Sequence, residues 1–188
     1  MLQSSLKFST CPASDTRRKT SKDVLIYLIP GNPGLIEYYR EFLTGLAERL
    51  GQQEQDARYM LTGRSLPGFE LGTETPNSVR SPPYTLTEQV SNVHKQIDAA
   101  AADARAKIAR ESVEPESRKL PVILIGHSVG AYVLLEIISR RQKVQQEGVQ
   151  SDDDLNYEII GGINLFPTVV DIAKSKNGRM AAVSLRSV

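Results

Sequence analysis

The chain has 188 residues, 40% of them apolar and 24% charged, with a formal net charge of +1. That length fits a single domain, and the near-neutral balance excludes the basic excess that a nucleic-acid partner requires. No run approaches the roughly 18 apolar residues of a spanning segment, so no transmembrane helix is expected here, and any membrane contact would be peripheral or lie in residues outside this sequence.

The N-terminus, "MLQSSLKFST", has no apolar stretch of the secretory type, though it shares the Ser/Thr- and Arg/Lys-rich character of transit peptides. Residues 1–22 leave room for a short strand or two. Arg17, Arg18 and Lys19 read as a solvated basic cluster, and the single cysteine, Cys11, cannot form an internal disulfide. "VLIYLI" (Val24–Ile29) is a continuous, β-branched apolar run, which predicts a strand buried on both faces. "PGNPG" (Pro30–Gly34) breaks it. Leu35, Tyr39, Phe42, Leu46 and Leu50 then recur at helical spacing, with Leu43 beside them, and predict an amphipathic helix closing at Gly51.

"ARYMLTG" (Ala57–Gly63) is the next candidate strand, and 64–83 reads as a long Gly/Pro/Ser/Thr-rich loop. Thr85 and Glu88 have capping-box spacing. Behind them Leu86, Val90, Val93, Ile97, Ala101, Ala104 and Ile108 mark one face of a long helix. "PVILIG" (Pro121–Gly126) predicts a third strand, followed by a helix to about Val144, a polar connection containing Asp152–Asp154, and a fourth strand over Tyr157–Phe166. Strand and helix alternate throughout. That order predicts an α/β fold: a mostly parallel sheet with right-handed crossovers and helices on both faces.

The chemistry concentrates where "PVILIG" meets its helix. Gly126-His127-Ser128-Val129-Gly130 is a Gly-x-Ser-x-Gly sequence, a weak signal alone, but here it leaves a buried-type strand and opens a helix, as a nucleophile elbow does. Gly126 and Gly130 would remove side chains that otherwise strike the neighbouring helix and strand, lifting the Ser128 hydroxyl over the carboxyl edge of the sheet. The plain alternative makes Ser128 the N-cap of the helix. His127 is adjacent to the serine, but side chains diverge on a sharp turn, so it is expected to pack beside the elbow rather than act as its base. His94 lies mid-helix.

"PGNPG" lacks the Lys-Ser/Thr pair of a phosphate-binding loop, and Pro33 removes a donor. An oxyanion hole suits it better, with the backbone N–H groups of Asn32 and Val129 as the two donors; the bland reading is an ordinary turn. The sequence offers no metal cluster and no cofactor motif.

Four blocks, "YLIPGNPGLIEYYREFL", "YTLTEQVSNVHKQI", "VILIGHSVGAYVLLEII" and "INLFPTVVDIAKSKNGR", together resemble the lipid droplet-associated hydrolase family of α/β-hydrolases, from about Val24 to Arg179. The resemblance implies an α/β-hydrolase fold, Ser128 as nucleophile with Asn32 and Val129 as donors, neutral-lipid or sterol-ester substrates, and a place on lipid droplets and in the cytoplasm. It divides the chain into an N-terminal segment (1–22), a partial hydrolase domain (23–179) and a divergent tail (180–188). It also implies an acid and a histidine beyond the "SKNGR" block, together with the last strands and a cap. None of these has a matching position in this chain. Asp171, after the fourth strand, is a weak substitute for the acid. Two functions therefore stand: a serine ester hydrolase, with acyl transfer to another acceptor as a variant of the same site, and a non-catalytic lipid-binding chain.

Overall fold

The computed structural model describes residues 4–10, 22–52, 57–70, 83–111, 118–146 and 156–168. Five strands form one sheet: β1 (Ser5–Ser9), β2 (Lys22–Ile29), β3 (Ala57–Arg64), β4 (Leu120–His127) and β5 (Tyr157–Leu165), in the spatial order β1-β3-β2-β4-β5. The helices are α1 (Arg40–Gln52), entered through a 3-10 turn at Ile36–Tyr39, α2 (Leu86–Glu111) and α3 (Val129–Gln146). β3, β2, β4 and β5 run parallel, and β1 closes one edge antiparallel to β3.

Crossover handedness decides the layers. The chain moves from β2 through α1 to β3 in one direction, then returns through α2 to β4 and continues through α3 to β5 in the other. Right-handed connections running in opposite directions must lie on opposite faces. Accordingly, Ile26, Leu28, Leu61 and Ile125 pack against Ile36 and Leu43 on the α1 face. Leu25, Tyr27, Ile29, Val122 and Leu124 pack against Val93, Ile97, Val133 and Ile137 of α2 and α3 on the other. Alternate residues of β2 thus serve two cores, which is why its sequence is apolar without interruption.

The capping box forms as its spacing requires. The Thr85 N–H donates to Glu88 Oε2 at 2.7 Å and the Glu88 N–H to Thr85 Oγ1 at 3.3 Å. The face of α2 expected from periodicity, Val90, Val93, Ile97, Ala101, Ala104 and Ile108, is buried throughout.

Several details refine or depart from the sequence reading. The first helical turn after "PGNPG" is 3-10, and α1 runs one residue past Gly51. Its buried centre is Leu43; Phe42, one position or about 100° round the helix, is 42% exposed. β1 emerges from the uncertain N-terminal segment because its partner β3 supplies the backbone acceptors and donors that five polar-rich residues could not advertise. β5 is paired only with β4 among the described residues, and Ile160 is the extra residue of a bulge between the Val122–Ile159 and Ile123–Gly161 pairs. Ile160 and Ile163 are exposed. Most of the expected 64–83 loop, and the expected features at Cys11, Arg17–Lys19, Asp152–Asp154 and Asp171, lie outside the described residues.

Candidate active site

The connections leaving β2 and β4 depart to opposite sides, so their carboxyl ends flank the topological switch point of the sheet, where open α/β folds form a crevice. The two segments singled out above emerge there, "PGNPG" from β2 and the serine turn from β4.

The serine turn is one residue long. β4 ends at His127 and α3 begins at Val129, leaving Ser128 alone between them with φ of 54°. A non-glycine residue in that left-handed region costs on the order of 1–3 kcal/mol and persists only where its surroundings impose it. The surroundings do. Ser128 N–H donates to the Leu165 carbonyl at 3.0 Å, and its carbonyl accepts from Ala131 N–H at 3.1 Å and Thr168 N–H at 3.2 Å. A Cβ on Gly126 would stand 2.5 Å from the Gly130 carbonyl oxygen, and one on Gly130 only 2.4 Å from that of Ile29. Strand, turn and helix can therefore close this tightly only with glycine on both sides.

The geometry weighs against Ser128 as a simple N-cap. An N-cap has extended backbone and gives its side chain to an N–H in the first helical turn. Here φ is positive, the Ala131 N–H goes to the backbone carbonyl, and the Ser128 hydroxyl lies 3.2 Å from Thr168 Oγ1. The serine is half-buried.

The loop after β2 lies directly against this turn. A Cβ on Gly31 would be 2.8 Å from His127 Nδ1 and 2.9 Å from Ser128 Cβ. The loop is anchored further on, where Leu66 N–H donates to the Gly34 carbonyl at 2.7 Å and Ile36 N–H to Ser65 Oγ at 3.1 Å. Gly31 N–H is committed to the Tyr39 hydroxyl at 2.8 Å, so the next amide available along the loop is that of exposed Asn32. Val129 is the first residue of α3, and a helix leaves its first N–H groups without intrahelical acceptors. The N-terminus of α3 also brings its partial positive charge to this point.

Neither histidine reaches the serine. His127 Nδ1 is hydrogen-bonded to the Tyr39 hydroxyl at 2.8 Å. Its ring stands edge-on between Tyr39, 5.6 Å away between centroids, and Phe166, 6.1 Å away. His94 Nε2 lies 3.9 Å from Asp98 Oδ1, one turn along α2. Among the described residues no imidazole hydrogen-bonds Ser128.

Three neighbours of the site escaped the sequence reading. Tyr39 fits the apolar face of a helix, and periodicity says nothing of where a phenol oxygen points. Thr168 and Phe166 follow β5, and their only advance signal is position: they leave a parallel strand at the same edge of the sheet as Ser128. Phe166 has φ of 45° and is 83% exposed.

A family model described as lipid-droplet associated hydrolase matches residues 22–187. The chain belongs to that family. Relatives named lipid droplet-associated hydrolase include one from Gallus gallus, 27% identical over 174 residues, covering 90% of this chain and 45% of its own length. One from Drosophila melanogaster is 32% identical over 161 residues, covering 85% of this chain and 43% of its own. The human relative is 26% identical over 84% of this chain and 42% of its own. The chain thus spans less than half the length of these curated relatives. Its sheet order and crossovers are those of an α/β-hydrolase core. A solved structure of esterase B from Lactobacillus rhamnosis, inhibited by a tributyrin phosphonate, aligns with 98% of this chain and 56% of its own at 14% identity and a TM-score of 0.48.

Proposed function

We propose that the protein is a serine ester hydrolase whose nucleophile is Ser128, acting on neutral-lipid or sterol esters at the surface of lipid droplets, which it meets peripherally from the cytoplasm. The observation that carries the reading is a strained serine, alone in a strand-to-helix turn, with Gly31 so close that a Cβ on it would lie 2.9 Å from Ser128 Cβ. Such strain at the switch point of an α/β sheet is what a nucleophile elbow requires.

The chemistry follows from the arrangement. Ser128 Oγ attacks the ester carbonyl while its proton passes to a base. The carbonyl oxygen becomes an oxyanion, held by the N–H groups of Asn32 and Val129. Collapse expels the alcohol, which takes up that proton, and leaves an acyl-Ser128 ester; water then repeats the sequence and releases the carboxylic acid. The base and its supporting acid are assigned to sequence outside this chain, as the family resemblance implies. With His127 turned to Tyr39 and His94 beside Asp98, the 188-residue chain by itself has no imidazole for the task. Loss of the base lowers turnover by on the order of a millionfold. That same observation favours a second reading for the chain alone, a non-catalytic lipid-binding protein.

Labelling with a fluorophosphonate, which phosphonylates activated serines, tests the proposal in the full-length protein. Wild type is expected to label and Ser128→Ala to remain unlabelled. A wild type that resists labelling supports the non-catalytic reading, and equal labelling of Ser128→Ala removes Ser128 as the nucleophile.

A further inference from the structure

One hydroxyl spans the two halves of the site. Tyr39 closes the 3-10 turn that follows the Pro30–Gly34 loop, and its oxygen lies 2.8 Å from Gly31 N and 2.8 Å from His127 Nδ1. Each partner adjoins a reacting position: Gly31 precedes Asn32, and His127 precedes Ser128. Two elements 88 residues apart in sequence are joined through a single side-chain atom. We propose that Tyr39 is a positioning residue that sets the distance between the Asn32 amide and the Ser128 hydroxyl, and that His127 serves as its anchor on the elbow. This rests on the assignment of Ser128 as the nucleophile.

The hydrogen-bond inventory supports the role. A phenol has one proton and accepts through its oxygen. Gly31 N–H occupies the oxygen as a donor, which leaves the phenol proton for an unprotonated His127 Nδ1. Burial raises the Tyr39 pKa above its ordinary value, against a smaller lowering from the Gly31 N–H, so the phenol keeps the proton that the bridge uses. Gly31 is buried and touches both His127 and Ser128, so nothing larger than its hydrogen could sit between loop and elbow. Contact alone would let the loop slide across the turn; the two hydrogen bonds set its register. The arrangement also gives the histidine of the Gly-His-Ser sequence a task distinct from proton transfer. Its Nδ1 is held by Tyr39 and its ring is fixed between Tyr39 and Phe166.

Tyr39→Phe isolates the hydroxyl, because the ring and its edge contact with His127 remain. In the full-length protein, this change is expected to slow fluorophosphonate labelling of Ser128 and kcat on a soluble p-nitrophenyl ester by about 10- to 100-fold, the scale of a displacement near 1 Å at a reacting centre. KM should stay within about twofold, since an oxyanion donor acts on the transition state rather than on the bound ester. His127→Asn, whose Oδ1 can stand where Nδ1 does, should retain most of the rate. His127→Ala should lose as much as Tyr39→Phe, and the double variant Tyr39→Phe/His127→Ala no more than either alone. Ser128→Ala run alongside separates the two claims: if it labels, the nucleophile assignment fails. If it does not label while Tyr39→Phe labels at the wild-type rate, the positioning role is overturned. Additive losses, or equal rates for His127→Asn and His127→Ala, would overturn it too. Should Tyr39→Phe fold poorly, the two His127 variants decide the matter.

Discussion

The same substitution, glycine to alanine, is expected to act with opposite sign at two positions of this chain. At Gly130 an added Cβ would lie 2.4 Å from the Ile29 carbonyl oxygen and 2.6 Å from that of Pro30. That is about 1 Å short of ordinary contact, and the obstructing atoms are backbone. Ile29 is fully buried and pairs with Gly126 of β4, so its carbonyl cannot retreat without opening the centre of the sheet. Overpacking of this kind costs about 3 kcal/mol, the upper part of its usual range. At Gly45, inside α1, nothing lies within 4 Å of the added atom. Alanine there gains helix propensity of about 0.8 kcal/mol. With a urea slope of roughly 2 kcal/mol per molar, the unfolding midpoint should fall by about 1.5 M for Gly130→Ala and rise by about 0.4 M for Gly45→Ala. Urea titrations followed by far-UV circular dichroism, with matched slopes, provide the measurement. A Gly130→Ala midpoint within about 0.2 M of wild type, on the scale of that slope, would refute the close packing of α3 on β2 and with it the geometry of the elbow.

Ser128→Gly should raise the unfolding temperature, because glycine adopts a φ of 54° without strain, while abolishing fluorophosphonate labelling of the full-length protein; the gain expected is about 1 kcal/mol, and no gain would mean that the turn is unstrained. Thr85→Ala removes the side chain that accepts from Glu88 N–H, and should destabilise the chain by about 1 kcal/mol in the same urea titration. Tyr27 is fully buried with its hydroxyl donating to Gln96 Oε1 at 3.2 Å, and burial holds its phenol protonated far above the ordinary range, against a smaller lowering from Arg64. The unfolded chain releases that proton near pH 10 while the folded one keeps it, so stability is complete below pH 10 and falls above it by up to about 1.4 kcal/mol per pH unit. Tyr27→Phe should make the alkaline slope shallower without abolishing it, because burial also raises the phenols of Tyr157 and Tyr39, as read from urea midpoints between pH 9 and 11; an unchanged slope would assign it to those groups.

Much of this molecule is local, and local features are legible in a sequence. The uninterrupted run from Val24 to Ile29 signals a strand that serves two cores. The Thr85–Glu88 box and the apolar face of α2 follow from spacing alone, and Gly-x-Ser-x-Gly between strand and helix marks a tight strand-to-helix turn. Each depends on interactions within a few residues, which composition and period encode directly. The four sequence blocks also sufficed to indicate the family. The remainder depended on which segments become neighbours. Placement of β4 beside β2, with β3 on the far side, brings Gly31 against Ser128. β1 acquired its state from β3, and Leu43 rather than Phe42 became the centre of α1 because the sheet lies on that side. His127 and Tyr39, each unremarkable within its own segment, meet only because the crossovers reverse at the switch point. Hydrogen bonds between residues so distant in the chain leave no period and no composition behind, so the tertiary structure alone decides them.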